Sequence, residues 1–106
     1  MVEQRSKQPP KAALRICQVP VARLRPFPGN PRHMSEAELT KLMRSIEQFG
    51  FVEPLVVRRA DHAIIGGHQR WEAAKRLGLK TVPVVYVDVS PDQAKLLNLA
   101  LNRITG

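Results

Sequence analysis

The chain has 106 residues, of which 43% are hydrophobic and 25% are charged, as expected for one small globular domain with a single modest core. No apolar run reaches the roughly 20 residues that cross a bilayer, and the polar start, residues 1–11, lacks the apolar segment of a secretory signal. The single cysteine, Cys17, excludes an internal disulfide, so we expect a cytoplasmic protein that does not enter a membrane.

Positive charge is concentrated in the first third of the chain. The net charge is +8, and residues 1–32 carry seven basic side chains against one acidic, a net of +6. Such a basic front suits a polyanion such as DNA or a nucleotide, and in this interpretation Arg23, Arg25 and Arg32 contact nucleic acid. A solubilising tail would have the same composition, and charge alone does not separate the two.

The chain opens on a segment with little apolar content. Residues 1–12, which include Pro9-Pro10, predict a disordered basic arm ahead of an ordered domain over residues 13–106. Residues 15–19 predict a first strand, in which Cys17 has no nearby histidine and is interpreted as an inert buried thiol. Residues 20–31 contain four prolines and one glycine, a composition that predicts an extended loop.

A strong helix signal follows this loop. Ser35 and Glu38 have the spacing of a capping box, and Gly50 supplies a left-handed stop. Between them an apolar stripe recurs at intervals of three and four residues (Leu39, Leu42, Met43, Ile46, Phe49) and indicates a core-facing helix. Residues 51–58 and 63–65 then predict two strands, with Asp61-His62 turning between them.

The second strand leads into a Gly-Gly turn and a second predicted helix, His68 to Leu77, which ends at Gly78. Glycines let a backbone turn tightly beside a ligand, and a helix N-terminus offers N–H groups and a positive dipole to an anion. We therefore predict a phosphate site formed by five consecutive residues: Gly66, Gly67, His68, Gln69 and Arg70. The alternative is a plain strand-to-helix connection in which the glycines only relieve strain.

The last predicted strand, residues 82–89, is rich in β-branched residues and is expected to be buried on both faces. Ser90, Pro91 and Gln93 then start a third helix strongly. This helix places Lys95, Asn98 and Asn102 on one polar face, where the amides either meet solvent or contact a ligand or partner. Its leucines spread around more of the helix than one core-facing side can bury (Leu96, Leu97, Leu99, Leu101). We therefore expect a second copy of the chain or a downstream domain to cover them.

These elements predict an α+β fold, a small mixed sheet of about four strands with three helices. The three histidines have no metal-ligand spacing and the acidic residues are singly placed. We therefore predict no metal site and identify no catalytic residue from the pattern.

Several ordered motifs resemble the ParB/sulfiredoxin superfamily, specifically the N-terminal domain of ParB-like proteins. They are Asn30-Pro31-Arg32, residues 50–57, residues 66–75, residues 82–85 and the helix bearing Asn102. The resemblance implies binding of cytidine triphosphate, or another nucleotide with Mg²⁺, through the Gly-rich turn. It adds Arg32 and Asn102 to the nucleotide site and implies weak, non-specific contact with DNA.

The chain departs from the family pattern at three places. Residues 67–70 read Gly-His-Gln-Arg where the family has Gly-Glu-Arg/His-Arg, Glu53-Pro54 replaces Gln-Pro, and Leu101-Asn102 replaces Glu-Asn. A ParB-like nuclease or nucleoside triphosphatase, and a structural interaction module, are the alternative functions. Sulfiredoxin activity is excluded because His68 stands where that enzyme has its reactive cysteine.

The strings Gly66–Arg70 and Leu97–Ile104 look most like ParB-like domains fused ahead of DNA methyltransferases. From this resemblance we expect a module of a larger DNA-processing protein, of partition or methyltransferase type, with a further domain after residue 106.

Overall fold

The computed structural model describes residues 14–28 and 34–105, and within these ranges it forms five strands and three helices. The strands are β1 (Ile16–Pro20), β2 (Arg25–Pro26), β3 (Leu55–Arg58), β4 (Ala63–Gly66) and β5 (Thr81–Val87). The helices are α1 (Glu36–Phe49), α2 (His68–Leu77) and α3 (Pro91–Thr105), and a short 3₁₀ turn spans Val21–Arg23.

The five strands form one mixed sheet in the order β1-β5-β3-β4-β2. Strand β5 is antiparallel to β1 and parallel to β3, while β4 is antiparallel to β3 and parallel to β2. The predicted α+β fold is therefore confirmed, with one strand more than expected. The extra strand is β2, in a proline-rich segment predicted to be a loop; its position at the sheet edge tolerates Pro26, which has no N–H to donate.

The main core lies between the sheet and α2. Leu55, Val57, Ile64, Val82 and Val84 are fully buried on this side of the sheet, where Trp71 and Ala74 of α2 pack against them. The indole Nε1 of Trp71 donates a hydrogen bond to the backbone carbonyl of Val21 at 3.0 Å. This bond ties α2 to the 3₁₀ turn and satisfies the polar atom of an otherwise apolar side chain.

Helix α1 packs on the other side of α2, where its Leu39 and Ile46 bury Ala73. Its predicted capping box is confirmed: Glu38 N donates to Ser35 Oγ at 3.1 Å, and Ser35 N donates to Glu38 Oε1 at 3.0 Å. The same reciprocal bonds join Ser90 and Gln93 at the start of α3, at 2.8 and 3.1 Å.

Two strand predictions need correction. Strand β3 begins at Leu55, four residues later than predicted, since Pro54 cannot donate to the ladder. Strand β5 is not buried on both faces: Val82 and Val84 enter the core with α2, whereas the alternate residues, among them Val85 and Val87, are half-buried.

The burial predicted for Cys17 is also wrong. Its thiol is free and exposed. The reason is topological, since β1 is an edge strand and only Val19 along it is buried.

Helix α3 packs against β4 with the face that was expected to be polar. Asn98 is 7% exposed, and its Nδ2 donates to the backbone carbonyl of Ile65 at 2.8 Å. Ala94, one turn earlier, is fully buried. Leu96 and Leu99 instead face outward, 68% and 65% exposed. In the described part of the chain, no helix combines the length and apolar character needed to cross a membrane.

Candidate functional site

The Gly66-Gly67 turn joins β4 to α2 as the sequence predicts. Gly67 is the N-cap of α2 in the left-handed conformation (φ 91°, ψ 20°), and its carbonyl accepts from Arg70 N at 2.9 Å and Trp71 N at 3.1 Å. A Cβ on Gly67 would lie 3.0 Å from Leu55 Cγ and 3.2 Å from Leu55 Cα. Both the backbone angle and the close approach of β3 therefore require glycine.

The start of α2 can receive an anion. The N-cap residue of this helix is glycine, which has no side chain to bond the first N–H groups. The first N–H groups of a helix lack partners within the helix and carry the positive end of its dipole. His68 and Gln69 occupy the first turn and are half-buried, and the His68 ring contacts the Trp71 ring edge-on at 5.3 Å between centroids.

Arg70 lies over the Gly-Gly turn. Its Nη1 is 2.8 Å from where a Cβ on Gly67 would stand, so the guanidinium covers the glycine directly. Its Nη2 donates to Glu53 Oε1 in an ion pair, with the Arg70 side chain 23% exposed and that of Glu53 65% exposed. Arg70 thus already holds a carboxylate.

Glu53 is a site residue that the pattern analysis did not select. It lies in the loop between α1 and β3 and is 17 residues from Arg70 in sequence. The only signal in the sequence was the replacement of the family's Gln-Pro by Glu53-Pro54. Because the fold brings the loop that carries Glu53 beside the Gly-Gly turn, this replacement of an amide by a carboxylate lies next to Arg70.

Helix α3 also reaches the turn. A Cβ on Gly66 would lie 2.6 Å from Leu101 Cδ1. The hydrogen bond from Asn98 attaches α3 to the carbonyl of Ile65, the residue before Gly66. Asn102 follows Leu101 in α3, but its side chain, like all of Arg32, lies outside the described residues. Their predicted roles in the nucleotide site stay predictions.

Arg25 lies away from the Gly-Gly turn. It is exposed, like Arg23, and it pairs with Ala63 at the start of β4, while its backbone N donates to His62 O at 3.0 Å. Gly66 is at the other end of β4, three residues away, or about 10 Å along a strand. The predicted DNA contact at Arg25 and the predicted phosphate residues therefore lie at opposite ends of β4.

Several other cations are paired locally. Arg58 contacts Asp61 at 3.1 Å, Arg59 contacts Asp88 at 2.9 Å, and Arg76 Nη1 donates to Glu36 Oε1 at 3.0 Å. The Arg76 hydrogen bonds, and then its charge, lower the pKa of Glu36; the same contacts raise the pKa of Arg76. These pairs reduce the effective positive charge outside the basic front.

Two further features bear on ligands. A cavity of about 350 Å³ lies beside β1, β5 and the loop after α1, but its lining includes none of the five predicted phosphate residues (Ile16, Gln18, Phe51, Val52, Pro54, Thr81, Pro83). Over residues 14–28 and 34–105, no three His, Cys, Asp or Glu side chains are grouped so that they could hold a metal ion.

A mixed sheet with α2 leaving a Gly-Gly turn, and an arginine over that turn, defines a ParB-like domain. The ParB N-terminal domain model matches residues 4–103, so the chain belongs to that family. Stage 0 sporulation protein J of Bacillus subtilis (strain 168) is 37% identical over 87 residues, covering 79% of this chain and 30% of that protein. The chain thus spans about a third of the length of this relative.

Solved structures agree with this assignment. The C-terminally truncated chromosome-partitioning protein ParB from Caulobacter crescentus, complexed with CTP-gamma-S, has a TM-score of 0.75 and 30% identity, over 82% of this chain and 52% of that one. The same protein complexed to the centromeric parS site has a TM-score of 0.68 and 28% identity, over 81% and 46%. Sulfiredoxin from Arabidopsis thaliana shares the fold, with a TM-score of 0.68 and 24% identity over 78% and 96%.

Proposed function

We propose that this domain binds a nucleoside triphosphate, CTP first among them, at the Gly66–Arg70 turn, and that it acts on DNA as one module of a larger cytoplasmic protein. The observation that carries the proposal is the start of α2, which is entered through a left-handed Gly67 and covered by the Arg70 guanidinium. The CTP-gamma-S complex of the Caulobacter relative supports the choice of CTP.

The phosphate end of the nucleotide is bound by groups of three kinds. Backbone N–H groups at the start of α2 donate to phosphate oxygens, the Arg70 guanidinium adds charge-assisted hydrogen bonds, and Gly67 permits close approach. Arg32 and Asn102 complete the site in this proposal. A magnesium ion is expected to be held chiefly by the phosphates and water, as is common for Mg²⁺.

Calorimetric titration with each of the four nucleoside triphosphates, with and without Mg²⁺, tests the site. We expect CTP to bind best, and Arg70→Ala to weaken that binding by about 1–3 kcal/mol, the scale of a charged hydrogen bond. Arg76→Ala is the matched control, because Arg76 lies on the same helix but pairs with Glu36. Affinity unchanged by Arg70→Ala would contradict the assignment.

DNA contact is assigned to Arg23, Arg25 and Arg32 of the basic front, and the parS complex of the Caulobacter relative supports DNA as a partner. We expect weak and nearly sequence-independent binding that falls steeply with salt, since neutralised phosphates release counterions. Replacing Arg23 and Arg25 by alanine should lower the slope of log affinity against log salt by about 2. Replacing the exposed Arg44 of α1 should leave the slope unchanged, and a salt-independent affinity would contradict this role.

The outward face of α3 is assigned to self-association or to a downstream domain. Leu96 and Leu99 are one turn apart and mostly exposed, which leaves an apolar patch of the kind that marks an interface. Light scattering should show dimers that Leu99→Lys shifts toward monomer, while Val52→Lys should not, since Val52 is also exposed but lies in the loop between α1 and β3. A monomer at all concentrations would leave only the downstream-domain assignment.

The larger protein is proposed to be of partition or methyltransferase type. The partition type is supported by the chromosome-partitioning relatives. The methyltransferase type rests on the resemblance of residues 66–70 and 97–104.

A further inference from the structure

We propose that Glu53 is a resident carboxylate that competes with the ligand's phosphate for Arg70 and thereby sets the charge preference of the site. This inference rests on the proposed anion site at the Gly66-Gly67 turn. It adds a specificity-determining residue from a different segment of the chain, the loop between α1 and β3.

The geometry places the competing groups on one guanidinium. Arg70 Nη1 lies over Gly67, and Arg70 Nη2 donates to Glu53 Oε1. A guanidinium binds carboxylate and phosphate oxygens with the same planar donor set. A phosphate arriving at the start of α2 therefore reaches an arginine whose donors already have an acceptor.

Exposure decides which group can give way. The Glu53 side chain is 65% exposed and can turn into solvent at little cost, whereas the Arg70 side chain is 23% exposed. An ion pair whose carboxylate is exposed contributes little to stability, so an incoming phosphate can displace the carboxylate. Displacement still leaves a negative charge beside the bound anion, and this repulsion grows with the number of phosphate charges.

Two consequences follow from this arrangement. The Arg70–Glu53 pair carries no net charge, since one carboxylate offsets one guanidinium. Repulsion from Glu53 weakens the binding of the most highly charged ligands most. Glu53 therefore favours ligands whose charge is partly screened, for instance by a divalent cation.

The experiment compares wild type with Glu53→Gln, which keeps the size and the acceptor oxygen but removes the charge. Calorimetry with CTP, inorganic pyrophosphate and cytidine at low salt without divalent cation measures the effect. We expect Glu53→Gln to bind CTP and pyrophosphate about three- to tenfold more tightly, with the gain decreasing as salt screens the charge. Weak cytidine binding should be unchanged, because cytidine carries no phosphate.

Two controls isolate the mechanism. Asp88→Asn also removes one negative charge from an arginine pair, but Asp88 pairs with Arg59 and should leave the affinity unchanged. The double variant Glu53→Gln/Arg70→Ala should gain less over Arg70→Ala than Glu53→Gln gains over wild type, because the competition requires the guanidinium and only the direct repulsion remains. A general effect of net charge would instead appear equally in all three variants.

Each result bears on the inference in a defined way. If wild type and Glu53→Gln bind CTP with equal affinity, the role of Glu53 is overturned and the proposed nucleotide site is not. Weaker CTP binding by Glu53→Gln in Mg²⁺ would show that Glu53 is a cation ligand and would also overturn it. Absence of anion binding in every variant would remove both the inference and the proposed function.

Discussion

Replacing Gly67 by alanine should destabilise the domain by about 2–5 kcal/mol. Gly67 has φ 91°, and a left-handed residue with a Cβ costs roughly 1–2 kcal/mol. The new methyl group would also press on Leu55 at 3.0 and 3.2 Å, where one contact is a backbone atom of β3, and such overpacking costs about 1–3 kcal/mol. The third neighbour, Arg70 Nη1 at 2.8 Å, ends a flexible side chain and can move away.

Gly78→Ala provides the matched control for this prediction. Gly78 ends the same helix with φ 75°, but a Cβ there meets nothing within 4 Å, so only the backbone cost of about 1–2 kcal/mol applies. Urea unfolding followed by the fluorescence of Trp71, the single tryptophan, measures both variants. Equal losses for the two alanines would refute the contact with β3 as the reason for glycine at the turn.

Three further outcomes are expected. Asn98→Leu should lower the free energy of unfolding by about 1–3 kcal/mol in urea, since the Ile65 carbonyl stays buried and loses its donor. A loss below about 0.5 kcal/mol would contradict this. Trp71→Phe, followed by circular dichroism, should cost a similar amount through the lost indole donor, and a neutral effect would contradict the bond to the 3₁₀ turn. The lowered pKa of Glu36 implies a small stabilisation of the folded state, which is present above the ordinary glutamate pKa and is lost as pH falls through the folded-state pKa. Arg76→Ala should abolish this loss at acid pH. An NMR titration of Glu36 that is the same in Arg76→Ala as in wild type would contradict the prediction.

The sequence by itself determined those features whose cause is local. Ser35 and Glu38 are three residues apart, and so are Ser90 and Gln93, so each pair caps its helix from within one turn. The left-handed conformations of Gly67 and Gly78 likewise follow from the absence of a Cβ. The bounds of α2 and the turn of the candidate site were therefore predictable from residue type and spacing.

Tertiary structure alone decided which distant groups meet. Asn98 is buried because α3 lies on β4 and the Ile65 carbonyl, 33 residues away, needs a donor; helical periodicity placed the same residue on a polar face. Cys17 is exposed because the strand order puts β1 at an edge, which no local pattern specifies. Arg70 meets Glu53 across 17 residues, while Arg25 lies beside the far end of β4. Spacing along a chain fixes hydrogen bonds within a turn, but contacts between elements depend on strand order and helix packing, and these set the charge at the candidate site.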